Sequence, residues 1–368
     1  MKFSCDRHQL LEAVTNVQRA VSVKSTIPSL EGILLKSLEG SILLCGYNLE
    51  LGMTTTVECP VEETGSTVVG AKLFGDIIRR LPSDQVSISV DENNTMTILS
   101  GESSFTIVCM ASEDYPELPT VYDESAVTVP QKLLKSMIRQ TIFAVAESDA
   151  KPIHTGTLFE LCDDCLRLVS VDGYRLAVRE EKMTCPKETT FVVPGKTLSE
   201  LMRLLDDEGD ETITMNIATR HIVFEMGDYT VVSRLLEGEF LDYHSALPKT
   251  QTTEVIVKVR DFVNSVERVS LLITDRLKSP VRCEFENNEI KLFCTTPLGR
   301  ATDRLEAVIT GQNLEMGFNN RYLLDALRNT ECDEVKISLN SAISPMLIMP
   351  REGEDFLFLV LPVRLKAN

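Results

Sequence analysis

The residues of this sequence that could carry out chemistry are few and scattered. The four histidines, at positions 8, 154, 221 and 244, form no HExxH or HxE pattern and have no metal-ligand spacing. No P-loop, GxGxxG or GxSxG motif occurs. Acidic runs such as "DDEGDE" at 206–211 are typical of solvated turns. We therefore predict a protein that is not an enzyme, with no catalytic residues, no bound metal and no cofactor.

The ten cysteines lie mostly singly within strand-like text, which favours buried thiols in a reducing compartment over disulfides. Cys162 and Cys165 form a CxxC in "FELCDDCLRL", where a hairpin turn is expected. A lone CxxC is weak support for zinc, so a metal or redox role is the less favoured alternative.

Length and composition indicate a globular protein of two or three domains. The chain has 368 residues, of which 43% are hydrophobic. No apolar run approaches the roughly 20 residues that span a bilayer, and the N-terminus lacks the apolar core of a signal peptide. We expect a cytoplasmic protein that has no contact with a membrane.

Helical segments recur along the chain at a fixed interval. "KLFGDIIRRL" (72–81), "KTLSELMRLL" (196–205) and "FNNRYLLDALRN" (318–329) each carry apolar residues at helical spacing, an acidic residue in the middle and Arg near the end. Leu73, Leu198 and Leu323 are 125 residues apart, and strand-like text follows every copy. The interval indicates duplicated domains.

A longer amphipathic helix precedes each of these segments, at 6–21, 130–146 and 259–273. In the first, Leu10, Leu11, Val14, Val17 and Val21 form the expected core-facing stripe. "DYPELP" (114–119) and "DYHSALP" (242–248) mark the ends of units, so we place three domains at 1–122, 123–250 and 251–368. Each has the pattern of an α+β domain with two helices on one face of an antiparallel sheet.

Charge is unevenly distributed between the predicted helices and the rest of the chain. The six helices carry a net charge of +7, which leaves −25 for the remainder of a chain whose total is −18. Solvated helix faces commonly collect Lys and Arg, and that is one interpretation. The other is that equivalent helices of duplicated domains share a surface that meets a polyanion.

The repeats, together with "VDGYRLAV" (171–178), "RLLEGEFLDY" (234–243), "FNNRYLLDAL" (318–327) and "LPVRL" (361–365), resemble the bacterial DNA sliding clamps, the beta subunits of the replicative DNA polymerase III holoenzyme. The resemblance covers essentially the whole chain. It implies a head-to-tail homodimeric ring that encircles duplex DNA without sequence preference and acts as a processivity factor. It also implies a hydrophobic cleft where the polymerase catalytic subunit, the clamp loader and other proteins insert short peptides.

The resemblance assigns residues to three surfaces. The implied peptide-binding cleft comprises Val171, Gly173, Tyr174, Arg175, Leu176, Leu241, Ala246, Leu277, Asn319, Tyr322, Ile343, Val360, Leu361, Pro362, Val363, Arg364 and Leu365. The implied DNA-facing residues are Lys24, Arg80, Lys135, Arg139, Lys196, Arg203, Arg268 and Arg328. The implied dimer interface places Phe105 and Ile107 against Leu271 and Leu272.

This chain departs from the family at a few positions of the cleft. The family commonly has His where Tyr174 stands and often Arg where Ser245 stands, and three residues follow Leu365. Without the resemblance, "LVLPVRL" would be interpreted as an ordinary buried terminal strand. The competing hypothesis for the whole chain is a repeat scaffold that binds protein partners without encircling DNA. An enzyme with a dispersed site is a more distant alternative.

Overall fold

The computed structural model describes residues 1–121, 126–148, 151–274, 276–277 and 279–365. The predicted domain boundary at residue 122 and the tail residues Lys366, Ala367 and Asn368 lie outside these ranges.

Six α-helices occur within the described ranges, and they confirm the helices predicted from the repeat. They are α1 (Arg7–Val17), α2 (Ala71–Arg80), α3 (Gln131–Ile142), α4 (Gly195–Leu204), α5 (Val259–Ser270) and α6 (Asn320–Arg328). Asp6 caps α1, since its carboxylate accepts hydrogen bonds from the backbone N–H groups of His8 and Gln9. Short 3₁₀ turns cover Gln18–Ala20, Pro28–Glu31, Pro152–Thr155 and Tyr243–Ala246.

Strands make up most of the remaining regular structure. Up to residue 130 they are β1 (Lys2–Asp6), β2 (Gly32–Leu38), β3 (Ser41–Tyr47), β4 (Leu51–Glu58), β5 (Val61–Glu63), β6 (Ser66–Gly70), β7 (Gln85–Val90), β8 (Thr95–Ser100), β9 (Ser103–Val108) and β10 (Val127–Pro130). Then follow β11 (Gly156–Leu161), β12 (Cys165–Val171), β13 (Arg175–Lys182), β14 (Thr189–Pro194), β15 (Thr212–Ile217), β16 (His221–Met226) and β17 (Tyr229–Arg234). The last are β18 (Thr253–Lys258), β19 (Val281–Glu286), β20 (Glu289–Thr296), β21 (Gly299–Glu306), β22 (Val308–Gly311), β23 (Leu314–Phe318), β24 (Glu334–Leu339), β25 (Met346–Pro350) and β26 (Phe356–Val360).

The chain divides into two compact units. Unit 1 comprises Met1–Leu133 and Ser199–Leu235, and unit 2 comprises Leu134–Leu198 and Leu236–Asn368. The predicted division into three domains, with boundaries at 122 and 250, follows the sequence repeat, whereas the two units are defined by their compactness in space. The three-domain division stays a prediction.

Unit 1 contains two antiparallel sheets. Sheet 1 has the strand order β5-β1-β7-β8-β9, and sheet 2 has the order β10-β15-β16-β17-β4-β3-β2-β6. Sheet 2 joins two copies of the repeat, because β17 pairs with β4 from Tyr229 opposite Thr55 to Ser233 opposite Leu51. Helix α1 packs on β3, β4 and α2 through Leu10, Ala13, Val14 and Val17.

Unit 2 repeats this arrangement with two further sheets. Sheet 3 has the order β14-β11-β12-β13-β26-β25-β24-β18-β22, and sheet 4 has the order β21-β20-β19-β23. Strand β13 of the second repeat pairs with β26 of the third, from Arg175 opposite Val360 to Arg179 opposite Phe356. Helix α5 packs on β20, β21 and α6, over a core that includes the fully buried rings of Phe262, Phe285 and Phe318.

Leu73, which marks the first copy in the predicted repeat, does not lie in the core. Leu73 is 56% exposed, whereas its neighbour Phe74 is fully buried, as are Leu198 and Leu323. The copies therefore align on Phe74, which lies 124 residues before Leu198, and the period is not strictly constant. In α1 and the turn after it, Leu11 and Val21 are likewise only partly buried.

The cysteines are mostly buried, as predicted, and all ten are free thiols. Burial raises the pKa of the Cys45 thiol to about 12, which keeps it protonated and inert. The hairpin at the CxxC is confirmed, because the Cys162 N–H donates to the Cys165 carbonyl at 2.9 Å. Within the described ranges, no cluster of three or more His, Cys, Asp or Glu side chains could hold a metal ion, and no helix is long and apolar enough to cross a bilayer.

The packing of α5 can be tested by truncating its buried ring. Phe262→Ala should lower the free energy of unfolding by about 3–5 kcal/mol, because it removes a fully buried side chain and leaves a cavity. Leu298→Ala is the matched control, since Leu298 is an exposed apolar residue of the same unit and its loss should change stability by less than about 0.5 kcal/mol. Chemical denaturation measures both, and equal effects would contradict the assigned core.

Candidate functional site

A surface cavity of about 880 Å³ lies within unit 2. Its walls come from the segment after α3, the β12–β13 turn, the segment after α5, the start of α6 and the C-terminal segment. The lining residues are Ala146, Glu147, Ser148, Asp172, Tyr174, Arg175, Ile273, Thr274, Ser279, Pro280, Asn319, Asn320, Arg321, Tyr322, Asp325 and Val363. A concave site with both aromatic and charged groups suits a peptide better than a flat surface does.

The turn between β12 and β13 shapes one wall of the cavity. Gly173 has a φ of +89°, a backbone conformation that glycine adopts without strain. The Asp172 carboxylate accepts hydrogen bonds from the backbone N–H groups of Tyr174 at 2.9 Å and Arg175 at 3.0 Å. The "DGYR" sequence therefore forms a self-braced turn that fixes the direction of both following side chains.

Arg175 connects this turn to α6. Its Nε donates to Asp172 Oδ2 at 2.8 Å, and its Nη1 donates to Asp325 Oδ2 on α6 at 2.5 Å. The guanidinium also lies over the Tyr322 ring, 4.6 Å from its centroid, and 5.7 Å from that of Phe143. Because the side chain is only 9% exposed, these contacts replace the water that it lost on folding.

Two tyrosines extend this arrangement to the surface. The rings of Tyr174 and Tyr322 stack with centroids 5.8 Å apart. Tyr322 is partly buried, and burial together with the nearby Asp172 charge raises its pKa. Tyr174 is 60% exposed, so it offers a flat apolar face to an incoming side chain.

The segment after β26 contributes Val363 to the wall of the cavity and is bonded to the neighbouring elements. Leu361 N–H donates to the Tyr174 carbonyl at 2.9 Å, and Val363 N–H donates to the Gly317 carbonyl at 2.8 Å. Gly317 permits this approach, because a Cβ there would come within 2.5 Å of the Leu365 side chain and 3.1 Å of the Val363 carbonyl oxygen. Leu361 and Val363 keep exposed apolar surface beside the cavity.

The structure places the predicted cleft residues in three groups. Tyr174, Arg175, Asn319, Tyr322 and Val363 line the cavity directly. Val171, Leu176 and Val360 are buried, and of these Val171 and Leu176 belong to a core cluster with Ile153 and Leu359. The others have full or partial exposure outside the cavity lining: Gly173, Leu241, Ala246, Leu277, Ile343, Leu361, Pro362, Arg364 and Leu365.

Sequence reasoning missed the acidic side of the cavity. Asp172 and Asp325 hold Arg175, and Glu147 also lines the wall. The Asp-Gly pair in "VDGYRL" could have indicated a braced turn, whereas Asp325 is 150 residues from Arg175 and gives no local signal. The resemblance places Arg175 in the peptide-binding cleft, and the structure commits its guanidinium to these internal partners.

Five arginines of the predicted DNA-facing set lie on helices and form ion pairs within their own units. In unit 2, Arg139 meets Glu331 at 2.8 Å, Arg268 meets Asp303 at 2.6 Å, and Arg328 meets Glu267. In unit 1, Arg80 meets Asp76 at 3.3 Å and Arg203 meets Glu200 at 3.8 Å. Lys24 and Lys196 are exposed, and Lys135 is partly exposed.

The residues predicted for the dimer interface lie beside exposed strand edges. Among the described strands, β9 ends the order of sheet 1 and β21 ends that of sheet 4. On β9, Phe105 is exposed and Ile107 is partly exposed. Leu271, directly after α5, is 81% exposed, and Leu272 is partly exposed. Each unit thus has an unpaired edge with apolar residues on or near it.

Repeated domains with helices on antiparallel sheets, joined through shared sheets, define a DNA-clamp architecture. The solved DNA polymerase sliding clamp of Bacillus subtilis has this fold, with a TM-score of 0.96 at 31% identity over 100% of both chains. A putative DNA polymerase III beta subunit from Eubacterium rectale gives a TM-score of 0.94 at 32% identity over 99% of both chains. A DnaN sliding clamp of Bartonella birtlesii, solved bound to griselimycin, gives 0.93 at 32% identity over 99% of this chain and 100% of that one.

Sequence comparison leads to the same family. The N-terminal, central and C-terminal domains of the DNA polymerase III beta subunit match residues 1–119, 128–242 and 244–364. The beta sliding clamp of Bacillus subtilis is 32% identical over 99% of this chain and 100% of its own length, and that of Staphylococcus epidermidis is 31% identical over 99% of each. The chain belongs to the DNA polymerase III beta subunit family, the beta sliding clamps.

The bond between Arg175 and Asp325 can be tested with a double-mutant cycle. Arg175→Gln and Asp325→Asn should each destabilise unit 2, and their effects should not add, with a coupling free energy of about 1 kcal/mol. Arg351 and Glu334 form the control pair, which is more exposed and should couple by about 0.5 kcal/mol or less. Chemical denaturation of the four variants of each pair measures the coupling. Additive effects at Arg175 and Asp325 would show that the ion pair does not hold the wall.

Proposed function

We propose that two copies of this chain assemble head to tail into a ring around duplex DNA, and that the cavity of unit 2 tethers replication proteins to that ring. As a beta sliding clamp, the chain is a processivity factor and a non-catalytic subunit of the DNA polymerase. The full-length match to sliding clamps is the observation that carries the proposal. A ring needs similar wall segments repeated around a rod, which accounts for three copies of one helix pair.

We propose the seam of the ring between the edge of sheet 1 and the edge of sheet 4. Phe105 and Ile107 on β9 would meet Leu271 and Leu272 of a second copy. The unpaired edges and the exposure of Leu271 support this, because pairing would cover strand edges that otherwise invite aggregation. The two edges belong to different ends of the chain, so their pairing is heterologous and can close a ring.

We propose that the chain forms three domains, at 1–122, 123–250 and 251–368. The basic residues of their helices would face the DNA. Phosphate contacts carry no sequence information, so a lining of Lys and Arg suits a protein that slides. The net negative charge of the remaining surface would disfavour DNA elsewhere. We also propose a cytoplasmic location, which the free thiols support.

The partners that we propose for the cleft are short peptide segments of the polymerase catalytic subunit, the clamp loader and other clamp-binding proteins. Tyr174, Leu361 and Val363 would supply apolar contacts, and Asn319 would supply a polar one. Buried Leu176 and Val360 would support that surface from beneath. Leu241, Ala246 and Ile343 would extend it as exposed apolar positions.

Retention on circular DNA separates the ring from the alternative scaffold that never encircles DNA. After loading by a clamp loader, the protein should remain on closed circular duplex through gel filtration and should be lost when the circle is cut once. Leu271→Ala with Leu272→Ala should weaken the seam and shorten retention on the closed circle, with a matching shift to monomer in light scattering. Leu298→Ala is the control for loss of an exposed leucine. Equal retention on closed and cut DNA would contradict encirclement, and full dimer in the double variant at low micromolar concentration would contradict this seam.

The cleft can be tested independently of the ring. Deleting residues 361–368 removes the wall that bonds to Tyr174 and Gly317, and should abolish calorimetric binding of a polymerase-derived peptide. Apolar anchors of this kind usually contribute about 2 kcal/mol or more each. The truncated protein should still be retained on closed circular DNA. Normal peptide binding by a truncated protein that still encircles DNA would refute the cleft while leaving the ring intact.

A further inference from the structure

Three helix arginines of unit 2, all from the predicted DNA-facing set, are each held by a carboxylate of another element. Arg139 on α3 binds Glu331, which follows α6. Arg328 on α6 binds Glu267 on α5, and Arg268 on α5 binds Asp303 on β21. About half of the side-chain surface of each of the three arginines is exposed. Each carboxylate therefore contacts only part of its guanidinium group, which stays accessible to a second anion.

Glu331 is held more firmly than an ordinary surface acid. One carboxylate oxygen accepts from Arg139, and the other accepts from the Ser136 hydroxyl. Its backbone has a φ of +53°, in the left-handed region that favours glycine. A non-glycine residue there costs on the order of 1 kcal/mol.

Asp303 is also fixed in its charged form. Its Oδ2 accepts from Arg268 Nε at 2.6 Å and from the Ser265 hydroxyl at 3.0 Å, and its Oδ1 accepts from the Arg304 N–H at 2.9 Å. Burial alone would favour the protonated carboxyl, but these hydrogen bonds outweigh it and lower the pKa of Asp303. The carboxylate remains ionised at neutral pH and neutralises Arg268.

An arginine in such a pair binds a phosphate less well than a lone arginine does. The phosphate must either replace the carboxylate or lie next to it, and two anions on one guanidinium repel each other. A cation that is already neutralised also releases fewer counterions from DNA, and that release drives nonspecific binding. Each pair should therefore lower both the affinity for duplex DNA and its salt dependence.

We propose that Glu331, Glu267 and Asp303 keep Arg139, Arg328 and Arg268 in internal ion pairs, and thereby keep the contact with duplex phosphates weak enough for sliding. This inference rests on the proposed function, because it takes the helix arginines as part of the DNA-facing surface. It assigns the acids the opposite role to that of ligand-binding residues: they limit binding.

The test replaces all three acids with neutral residues of the same shape. Binding of a short fluorescent duplex to the full chain is measured by anisotropy over a series of salt concentrations. Glu331→Gln, Glu267→Gln and Asp303→Asn together should tighten binding roughly tenfold at low salt and steepen the salt slope, by up to about 0.9 for each released arginine. Because Asp303 is partly buried, the variant with only Glu331→Gln and Glu267→Gln is measured as well. A gain in affinity is not a result that misfolding produces.

The control removes the same amount of charge from pairs outside the helices. Glu315, Glu334 and Glu286 are paired with Arg282, Arg351 and Lys291, which lie on strands or turns of the same unit. Replacing these three glutamates with Gln should leave the salt slope unchanged. A steeper slope only in the helix variants supports the proposal. An unchanged slope in the helix variants overturns it, as does an equal change in the control, which would reflect net charge alone.

Retention of the unaltered protein on closed circular DNA distinguishes failure of the proposed function from failure of this inference. If the unaltered protein is lost from closed and cut circles alike, the proposed function fails, whatever the acid variants do. If it is retained only on the closed circle while the helix variants bind like the unaltered protein, this inference alone fails. Single-molecule tracking adds a direct measurement, because the helix variants should diffuse more slowly along duplex DNA than the control variants.

Discussion

The antiparallel pairing of β13 with β26 is the interaction on which the candidate site depends. It joins the second repeat to the third through backbone hydrogen bonds, from Arg175 opposite Val360 to Arg179 opposite Phe356. The same pairing delivers Leu361 to the Tyr174 carbonyl and so starts the terminal segment along one wall of the cavity.

Around that strand pairing, side-chain chemistry fixes the remaining geometry. Arg175 is bonded to Asp172 in its own turn and to Asp325 on α6, so one buried cation positions two walls at once. The tyrosines then stack at the surface of an already ordered site. A site that is ordered before its ligand arrives loses less conformational entropy on binding, which is how a short peptide can bind with useful affinity.

Local patterns in the sequence predicted the local structure well. The helices and the strands after them were found because hydrophobic periodicity acts over a few residues. The repeat was aligned on Leu73 because periodicity alone does not distinguish adjacent apolar residues, and Phe74 is the one that is buried. The joining of sheets through β4–β17 and β13–β26, and pairs such as Arg139–Glu331, depend on contacts distant in sequence, for which no local signal exists. The resemblance supplied the cleft positions that line the cavity, but not the acids that hold it.

The acidic residue in the middle of the repeated short helix has acquired different partners in each copy. Asp76 binds Arg79 and Arg80 of its own helix, Glu200 meets Arg19 and Arg203, and Asp325 reaches Arg175. These three residues therefore occupy equivalent positions of the duplicated segment but make different contacts. Substitution of Asp76 loses an exposed ion pair that contributes little stability, whereas substitution of Asp325 leaves a buried guanidinium without one of its partners. Copies that began as equals would consequently diverge at unequal rates, and position 325 should be the slowest of the three to change.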